Sequence, residues 1–280
     1  MSACPLCEGT RILPYRRVAR RYGRTHYELE LAKCASCAFV FLRNNPHIEY
    51  DEDYLYHENV VTAGDPLKVF RAEERLASIM RVVPPGPARR FLDIGIGDGL
   101  LLSLAEGAGY TTFGLDINPA GVELARKQYH LRAQVRLEPV NQAFPGVKFD
   151  VIHMNEVIEH IEAPIPLLQS CREHLAGGGL LVIQTGDIDS VASRIKGEHW
   201  DYYRPVHVSY FSTRTLEYAV LQAGFRVIHR ATVDWRWRPV LRAAAALRRR
   251  QGMVRALRFL FLYLTALPHG LRRSVIIHAI

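Results

Sequence analysis

Long apolar stretches are missing from this 280-residue sequence. No run reaches the roughly 18 consecutive apolar residues that a membrane-spanning helix needs. The chain also does not begin with the charged and then apolar segment that directs secretion. Hydrophobic residues make up 49% of the chain and charged residues 23%, which is typical of a globular protein. We therefore expect a cytoplasmic protein.

Acidic residues are absent after Asp234, although the arginines continue, so the formal charge of +8 belongs largely to this tail. Apolar residues within 239–273 recur at helical spacing, which predicts a basic helical insertion. Such helices suit peripheral contact with anionic lipid, or a channel for an isoprenoid substrate. They suit equally a helical pair that packs on the domain, and we favour packing, with the arginines in solvent.

Cysteine is also scarce, and four of the five cysteines form two C-x-x-C pairs with 26 residues between them. Thiolates at this spacing can close a tetrahedral zinc site, and structural zinc stabilises small modules that have little core. Two disulfides or plain buried thiols are the alternatives, and a cytoplasmic location argues against disulfides. The pairs predict a zinc ribbon at residues 1–45, with a hairpin between them. The predicted ligands are Cys4, Cys7, Cys34 and Cys37.

Between the cysteine pairs lies a basic run from Arg16 to Arg24. Such a run can contact RNA or an anionic substrate. A solvated face of the hairpin is the simpler interpretation, and we favour it.

A polar, tyrosine-rich linker with an amphipathic helix is expected at residues 46–86. Its first part contains Tyr50, Tyr54 and Tyr56, and its helix is expected over Pro66–Val83. The prolines that follow end this helix and mark the start of the main domain, residues 87–280.

Strand and helix patterns alternate in the main domain, which predicts an α/β fold of the Rossmann-like type. We expect a seven-stranded, mostly parallel sheet with helices on both faces. The predicted strands are Arg90–Ile94, Thr112–Asp116, Ala133–Leu137, Phe149–Met154, Leu180–Thr185, Phe225–Val233 and Ser274–Ile280. The fifth strand is expected to follow a turn at Gly177–Gly179.

A glycine-rich loop separates the first predicted strand from the helix that begins at Leu100. Glycines at this junction allow a ligand to approach the backbone, and the helix start offers unpaired N–H groups. The dinucleotide fingerprint G-x-G-x-x-G does not fit, because its third glycine would fall on Leu100. The next strand ends in Asp116, an acid that suits the ribose of either NAD or an adenosyl cofactor.

The run from Asp93 to Gly99 reads D-x-G-x-G-x-G and resembles motif I of class I S-adenosylmethionine (SAM) methyltransferases. The resemblance implies SAM as cofactor, with Asp116 bonded to its two ribose hydroxyls and the Asn155 backbone near its methionine end. The cofactor-binding residues implied are Asp93, Gly95, Gly97, Gly99, Asp116, Ile117 and Asn155.

The segment after the fourth strand, Glu156 to His160, is similar to the E-V-x-E-H segment of quinol-type small-molecule methyltransferases. The similarity implies that Glu156 or His160 faces the acceptor. On an ordinary helix, Glu159 and His160 are equally suited to a structural role.

Aromatic residues and two histidines crowd into residues 198–212, which predicts the wall of a pocket. Its H-x-S-Y-F-S run resembles a loop of zinc-bearing sugar C-methyltransferases. The resemblance implies that His207 is the catalytic base. Arg204 and Val206 depart from the pattern of that family and weaken the assignment of its catalytic base to His207. The alternative is that His207 only hydrogen-bonds the loop to itself.

These features predict a SAM-dependent methyltransferase that acts on an oxygen or carbon of a small molecule such as a sugar, a quinol or a lipid-linked metabolite. No N/D-P-P-Y tetrapeptide follows the fourth strand, which disfavours methylation of base amines. An RNA methyltransferase that uses the zinc ribbon as reader is the second hypothesis. A non-catalytic membrane- or protein-binding scaffold is the third.

Overall fold

The computed structural model describes residues 3–48, 66–234 and 273–280. The strands are β1 (Ile12–Tyr22), β2 (Thr25–Cys34), β3 (Val40–Leu42), β4 (Arg90–Ile94), β5 (Thr111–Leu115), β6 (Gln134–Arg136), β7 (Phe149–Asn155), β8 (Leu175–Gly186), β9 (Ser209–Tyr210), β10 (Val227–Asp234) and β11 (Arg273–Ala279). The helices are α1 (Pro66–Met80), α2 (Leu100–Ala108), α3 (Pro119–Tyr129), α4 (Val140–Ala143), α5 (Pro164–His174), α6 (Val191–Lys196) and α7 (Thr213–Gln222), with 3₁₀ turns at Ile158–His160 and Gly197–His199.

The main sheet has seven strands in the order β10-β11-β8-β7-β4-β5-β6. Strands β4 to β8 run parallel, and β11 pairs antiparallel with β8 and β10. This confirms the predicted Rossmann-like fold. Strand order reverses between the neighbours β4 and β7, and in open α/β sheets ligands bind outside the carboxyl ends of strands at such a point.

Helices cover both faces of this sheet, as predicted. On one face, Ile79 of α1, Leu102 of α2 and Ala125 of α3 lie in one fully buried cluster. On the other face, Leu168 of α5 and Leu216 of α7 are also fully buried. Burying each large apolar side chain contributes about 1.5–3 kcal/mol, so these two layers hold the strand ends in fixed positions.

The cysteine-rich segment forms a second, antiparallel sheet in the order β1-β2-β3-β9. The predicted hairpin is present as β1 and β2, with Tyr22 opposite Thr25 at its tip. The fourth strand, however, comes from the main domain, because Val40 of β3 pairs with Tyr210 of β9. The sheet of the predicted zinc ribbon is therefore joined directly to the aromatic segment 198–212.

Two local predictions were wrong. Strand β8 begins at Leu175 rather than at Leu180, because Leu175 already pairs with Phe149 of β7. The chain nevertheless bends at the predicted glycines, since Gly178 has a φ of 73° and the pairing then shifts to Val151 opposite Leu180. Glu159 and His160 lie in a 3₁₀ turn rather than on an ordinary helix.

The tyrosines of the linker and the predicted insertion at 239–273 lie outside the described residues. In the described part of the chain, no helix is both long enough and apolar enough to cross a bilayer.

Candidate functional site

The glycine loop follows β4 and lies against the end of β5. Gly95, Gly97 and Gly99 have φ angles of 73°, 53° and 81°, which side-chain-bearing residues rarely adopt. The N–H of Gly95 donates to the Leu115 carbonyl at 2.7 Å. A Cβ on Gly95 would lie 2.3 Å from Cγ2 of Val157, so this glycine is also required for packing. Contacts within the protein itself therefore hold the loop in this conformation.

The carboxylate of Asp116 lies at this loop, where the sequence places it. Its Oδ2 accepts from the N–H of Gly97 at 3.0 Å, and its Oδ1 accepts from the N–H of Asn118 at 2.9 Å. Burial raises the pKa of Asp116, and the two backbone N–H groups oppose that shift. The side chain of Ile117 is 65% exposed beside the carboxylate. An acid and an apolar surface therefore lie together at the strand tips.

Asp93, the first acid of the glycine motif, has a partner that sequence reasoning missed. Its Oδ1 lies 2.7 Å from Nδ1 of His153, and both side chains are almost fully buried. Register explains the contact, because Asp93 of β4 and His153 of β7 are directly paired on neighbouring strands. The histidine fixes the Asp93 carboxylate at the base of the loop.

Helix α1 contributes two cations to the same region, a second feature that sequence reasoning missed. Lys68 Nζ lies 2.7 Å from Oδ2 of Asp98. A guanidinium nitrogen of Arg75 donates to Oδ1 of Asn155 at 3.2 Å. Burial lowers the pKa of Arg75, while the negative charges of Asp93 and Glu156 oppose the shift. The sequence predicted this helix only from the spacing of its apolar residues, and that spacing carries no signal for these contacts.

Glu156 lies between the end of β7 and the 3₁₀ turn that contains Glu159 and His160. Its φ of 55° is unusual for a residue with a side chain, and such a conformation costs about 1–3 kcal/mol. The surrounding structure holds it there, since its N–H donates to the Gln184 carbonyl at 2.9 Å. Strained residues of this kind cluster at functional sites.

Glu159 is fully buried and braces the aromatic segment. Its carboxylate accepts from the hydroxyl of Tyr202 and from Oγ1 of Thr185, the latter at 2.8 Å. Burial, together with the charge of Glu156, raises the pKa of Glu159 well above its usual range. Its backbone carbonyl accepts from the N–H of Val208 at 2.8 Å. Of the two alternatives for Glu159, these contacts favour the structural one.

His160 is also engaged by the backbone. Its Nδ1 donates to the Val206 carbonyl at 3.0 Å, and the ring is hydrogen-bonded to the backbone of Glu156. Burial lowers the pKa of His160 to about 4, so the ring is neutral at neutral pH. Its ring meets that of His207 edge to face, with centroids 4.8 Å apart. These contacts favour a positioning role for His160.

His207 is 3% exposed, and its Nδ1 lies 2.8 Å from the Tyr202 carbonyl. Because a carbonyl only accepts, Nδ1 carries the proton of this hydrogen bond and Nε2 is the other nitrogen of the ring. The hydrogen bond within the loop that the structural alternative for His207 requires is therefore present. The same bond orients the imidazole ring as a catalytic base requires. Metal-binding atoms of Glu159, His160 and His207 all lie within 4.8 Å of one another.

The four N-terminal cysteines come together as predicted. The Sγ atoms of Cys4 and Cys37 are 3.6 Å apart, as are those of Cys7 and Cys34. A tetrahedral zinc site with bonds of about 2.3 Å has sulfur separations of about 3.8 Å. The N–H of Leu6 also points at Sγ of Cys4, at 3.4 Å. These residues fit a zinc ion, while Cys171 lies elsewhere, buried in the core.

Comparison with known proteins places this geometry in context. A family model described as "Methyltransferase domain" matches residues 68–230. The ubiquinone biosynthesis O-methyltransferase of Cereibacter sphaeroides is 36% identical over 122 residues, which are 41% of this chain and 49% of that protein. The chain thus spans about half the length of the curated relatives it matches.

Two solved structures show the fold. The magnesium protoporphyrin IX methyltransferase of Synechocystis PCC 6803, with bound S-adenosyl-L-homocysteine (SAH), aligns with a TM-score of 0.53 at 13% identity, covering 79% of this chain and 91% of that one. The N-methyltransferase NodS of Bradyrhizobium japonicum WM9, in complex with SAH, aligns with a TM-score of 0.51 at 13% identity, covering 79% and 94%. At these identities the likeness concerns the fold alone.

Proposed function

Because the chain belongs to the methyltransferase domain family and has the fold of class I SAM-dependent methyltransferases, we propose that it transfers a methyl group from SAM to a hydroxyl oxygen of a small molecule. The observation that carries this proposal is the Asp116 carboxylate bonded to the N–H of Gly97 at the tips of neighbouring parallel strands. The curated relatives, which are quinone-pathway O-methyltransferases by name, support oxygen as the methylated atom. Carbon remains the second candidate.

The cofactor would lie across the strand tips. Asp116 would accept hydrogen bonds from the ribose hydroxyls, and Ile117 would cover one face of the adenine. Bound SAM supplies a methyl group that is already activated on a sulfonium, so the protein mainly has to align the reactants. Alignment of this kind can supply about 7–11 kcal/mol of the barrier.

His207 would accept the proton of the acceptor hydroxyl at Nε2. Its orientation depends on Tyr202, which contacts it twice: through the carbonyl at Nδ1 and through ring packing at 4.4 Å between centroids. Tyr202 is in turn held by Glu159 and by the N–H of Gly186, at 2.8 Å. A buried network therefore fixes the proposed base.

We further propose that the cysteine cluster binds a structural zinc ion. Its sheet includes β9, which begins two residues after His207, so the zinc site would stabilise the segment that carries the base. In this account the metal has no part in methyl transfer.

Methyl transfer itself is tested with SAM that is labelled in the methyl group. The protein is incubated with quinol, sugar and lipid-linked hydroxyl acceptors and, in parallel, with RNA; a reaction without acceptor measures background hydrolysis. We expect label in one small-molecule class, with SAH formed in equal amount. Label recovered in RNA would instead support the zinc ribbon as an RNA reader and would contradict this proposal. Intact SAM in every reaction would support the scaffold hypothesis.

A further inference from the structure

A small cavity lies between the tip of the β1–β2 hairpin and the segment that leads to His207. Its volume is about 290 Å³, and it is rich in guanidinium groups. The lining includes Arg20, Arg21, Tyr22, Tyr203, Arg204 and Pro205. Three of these are arginines, and two of them belong to the basic run that the sequence assigned to a solvated face.

Arg20 fixes one wall of this cavity. Its Nε donates to the Tyr203 carbonyl at 3.0 Å, and a terminal nitrogen donates to the Trp200 carbonyl at 3.1 Å. Burial lowers the pKa of Arg20, and the nearby charge of Asp201 opposes that shift. This side chain therefore joins the hairpin to the aromatic segment and sets the shape of the cavity.

Positive charge exceeds negative charge in the lining. Its one carboxylate, on Asp201, is paired with Lys196 of α6. Arg21 is anchored through Nε to the Gly23 carbonyl at 3.2 Å, and Arg204 through Nε to the Asp201 carbonyl at 3.3 Å. The Arg21 bond involves the inner nitrogen, so the planar terminal end of its guanidinium extends beyond it.

Two residues of the cavity lining, Arg204 and Pro205, directly precede the part of the chain that carries the proposed base. The Arg204 carbonyl accepts from the N–H of His207 at 3.1 Å. Two residues further along the chain, the Val206 carbonyl accepts a hydrogen bond from the His160 ring. The backbone of the cavity wall is therefore tied to the backbone of the proposed base.

We propose that this arginine cavity binds a phosphate group of the methyl acceptor. The inference rests on the proposed function and narrows its acceptor to a phosphate-bearing small molecule. Guanidinium groups bind phosphate oxygens in pairs, with charge-assisted hydrogen bonds. A volume of about 290 Å³ suits one or two phosphates. An extended nucleic acid would need a continuous basic stripe, yet Arg17 of the same strand is paired with Glu30 away from the cavity.

Binding is measured by calorimetry with inorganic pyrophosphate, at constant ionic strength, on the full-length protein. Arg21→Ala and Arg204→Lys should each weaken pyrophosphate binding about tenfold or more, because each removes charge-assisted hydrogen bonds. Arg17→Ala is the matched control, since this arginine lies on β1, carries the same charge and does not line the cavity. It should change the affinity less than about twofold. SAH affinity and melting temperature should be unchanged in all three variants.

Two further arms identify the source of the phosphate: a soluble nucleoside diphosphate, and phosphatidylcholine vesicles that carry a prenyl phosphate. Binding of either ligand supports the inference if Arg21→Ala weakens that binding and Arg17→Ala does not. Failure of the wild-type protein to bind pyrophosphate at millimolar concentration would overturn the inference. So would an equal loss in the Arg17 variant, or tighter binding of a single-stranded RNA that depends on Arg17. Failure of the wild-type protein to bind SAH would overturn the proposed function instead, so the two failures are distinguishable.

Discussion

Cys34→Ser is expected to release zinc and unfold the N-terminal sheet. Structural zinc contributes about 10–16 kcal/mol in isolated zinc-binding peptides, as much as the whole stability of a typical domain. The four sulfurs lie close enough to share one ion. Because β9 belongs to this sheet, the segment that carries His207 should loosen as well. Metal analysis and amide hydrogen exchange measure the two effects.

The matched control is Cys171→Ala, which removes a buried thiol that is not one of the four clustered cysteines. This variant should keep its zinc and the exchange protection of β1 and β2. Wild-type protein that holds no zinc after purification under reducing conditions would contradict the zinc site. Unchanged protection of β1 and β2 in Cys34→Ser would contradict the link between zinc and the sheet.

His207→Gln is expected to lower kcat by about 10²–10⁴-fold, the usual contribution of a positioned base. SAH affinity should not change, because His207 contacts Tyr202, Arg204 and His160, which lie outside the glycine loop. The matched control is His199→Gln, since His199 lies in the same segment with its side chain 82% exposed. That variant should retain wild-type activity.

The assay is repeated with added Mg²⁺ and Zn²⁺, because Glu159, His160 and His207 are close enough to bind a cation together. Activity that needs the added ion would make His207 a ligand rather than a base and would contradict the assignment. Equal activity of His207→Gln and the wild-type protein would also contradict it.

Local patterns predicted most of the framework. The apolar run before the glycines became β4 with the predicted bounds, and helix α2 begins at Leu100 as predicted. The cysteine spacing and the hairpin were equally readable, because they depend on residues near each other in sequence. Asp116 could be placed at the loop because parallel strands end at the same edge of the sheet.

Contacts between distant segments could not be predicted from such patterns. The pairing of β3 with β9 joins Val40 to Tyr210, and no local signal in either strand specifies its partner. The two backbone hydrogen bonds of His160, and the phenol that braces Glu159, arise only when loops meet. The same is true of the arginine cavity, where a hairpin tip meets a loop nearly two hundred residues later.

The central claim is that the glycine loop and Asp116 bind an adenosyl cofactor, and calorimetry with SAH tests it most directly. Wild-type protein should bind SAH, and Asp116→Asn should weaken binding on the order of tenfold to a hundredfold, because hydrogen bonds to a charged group contribute about 1.5–3 kcal/mol. Glu123→Gln, an exposed acid on α3, should leave the affinity unchanged. No SAH binding by the wild-type protein, or equal affinity in the Asp116 variant, would contradict the account.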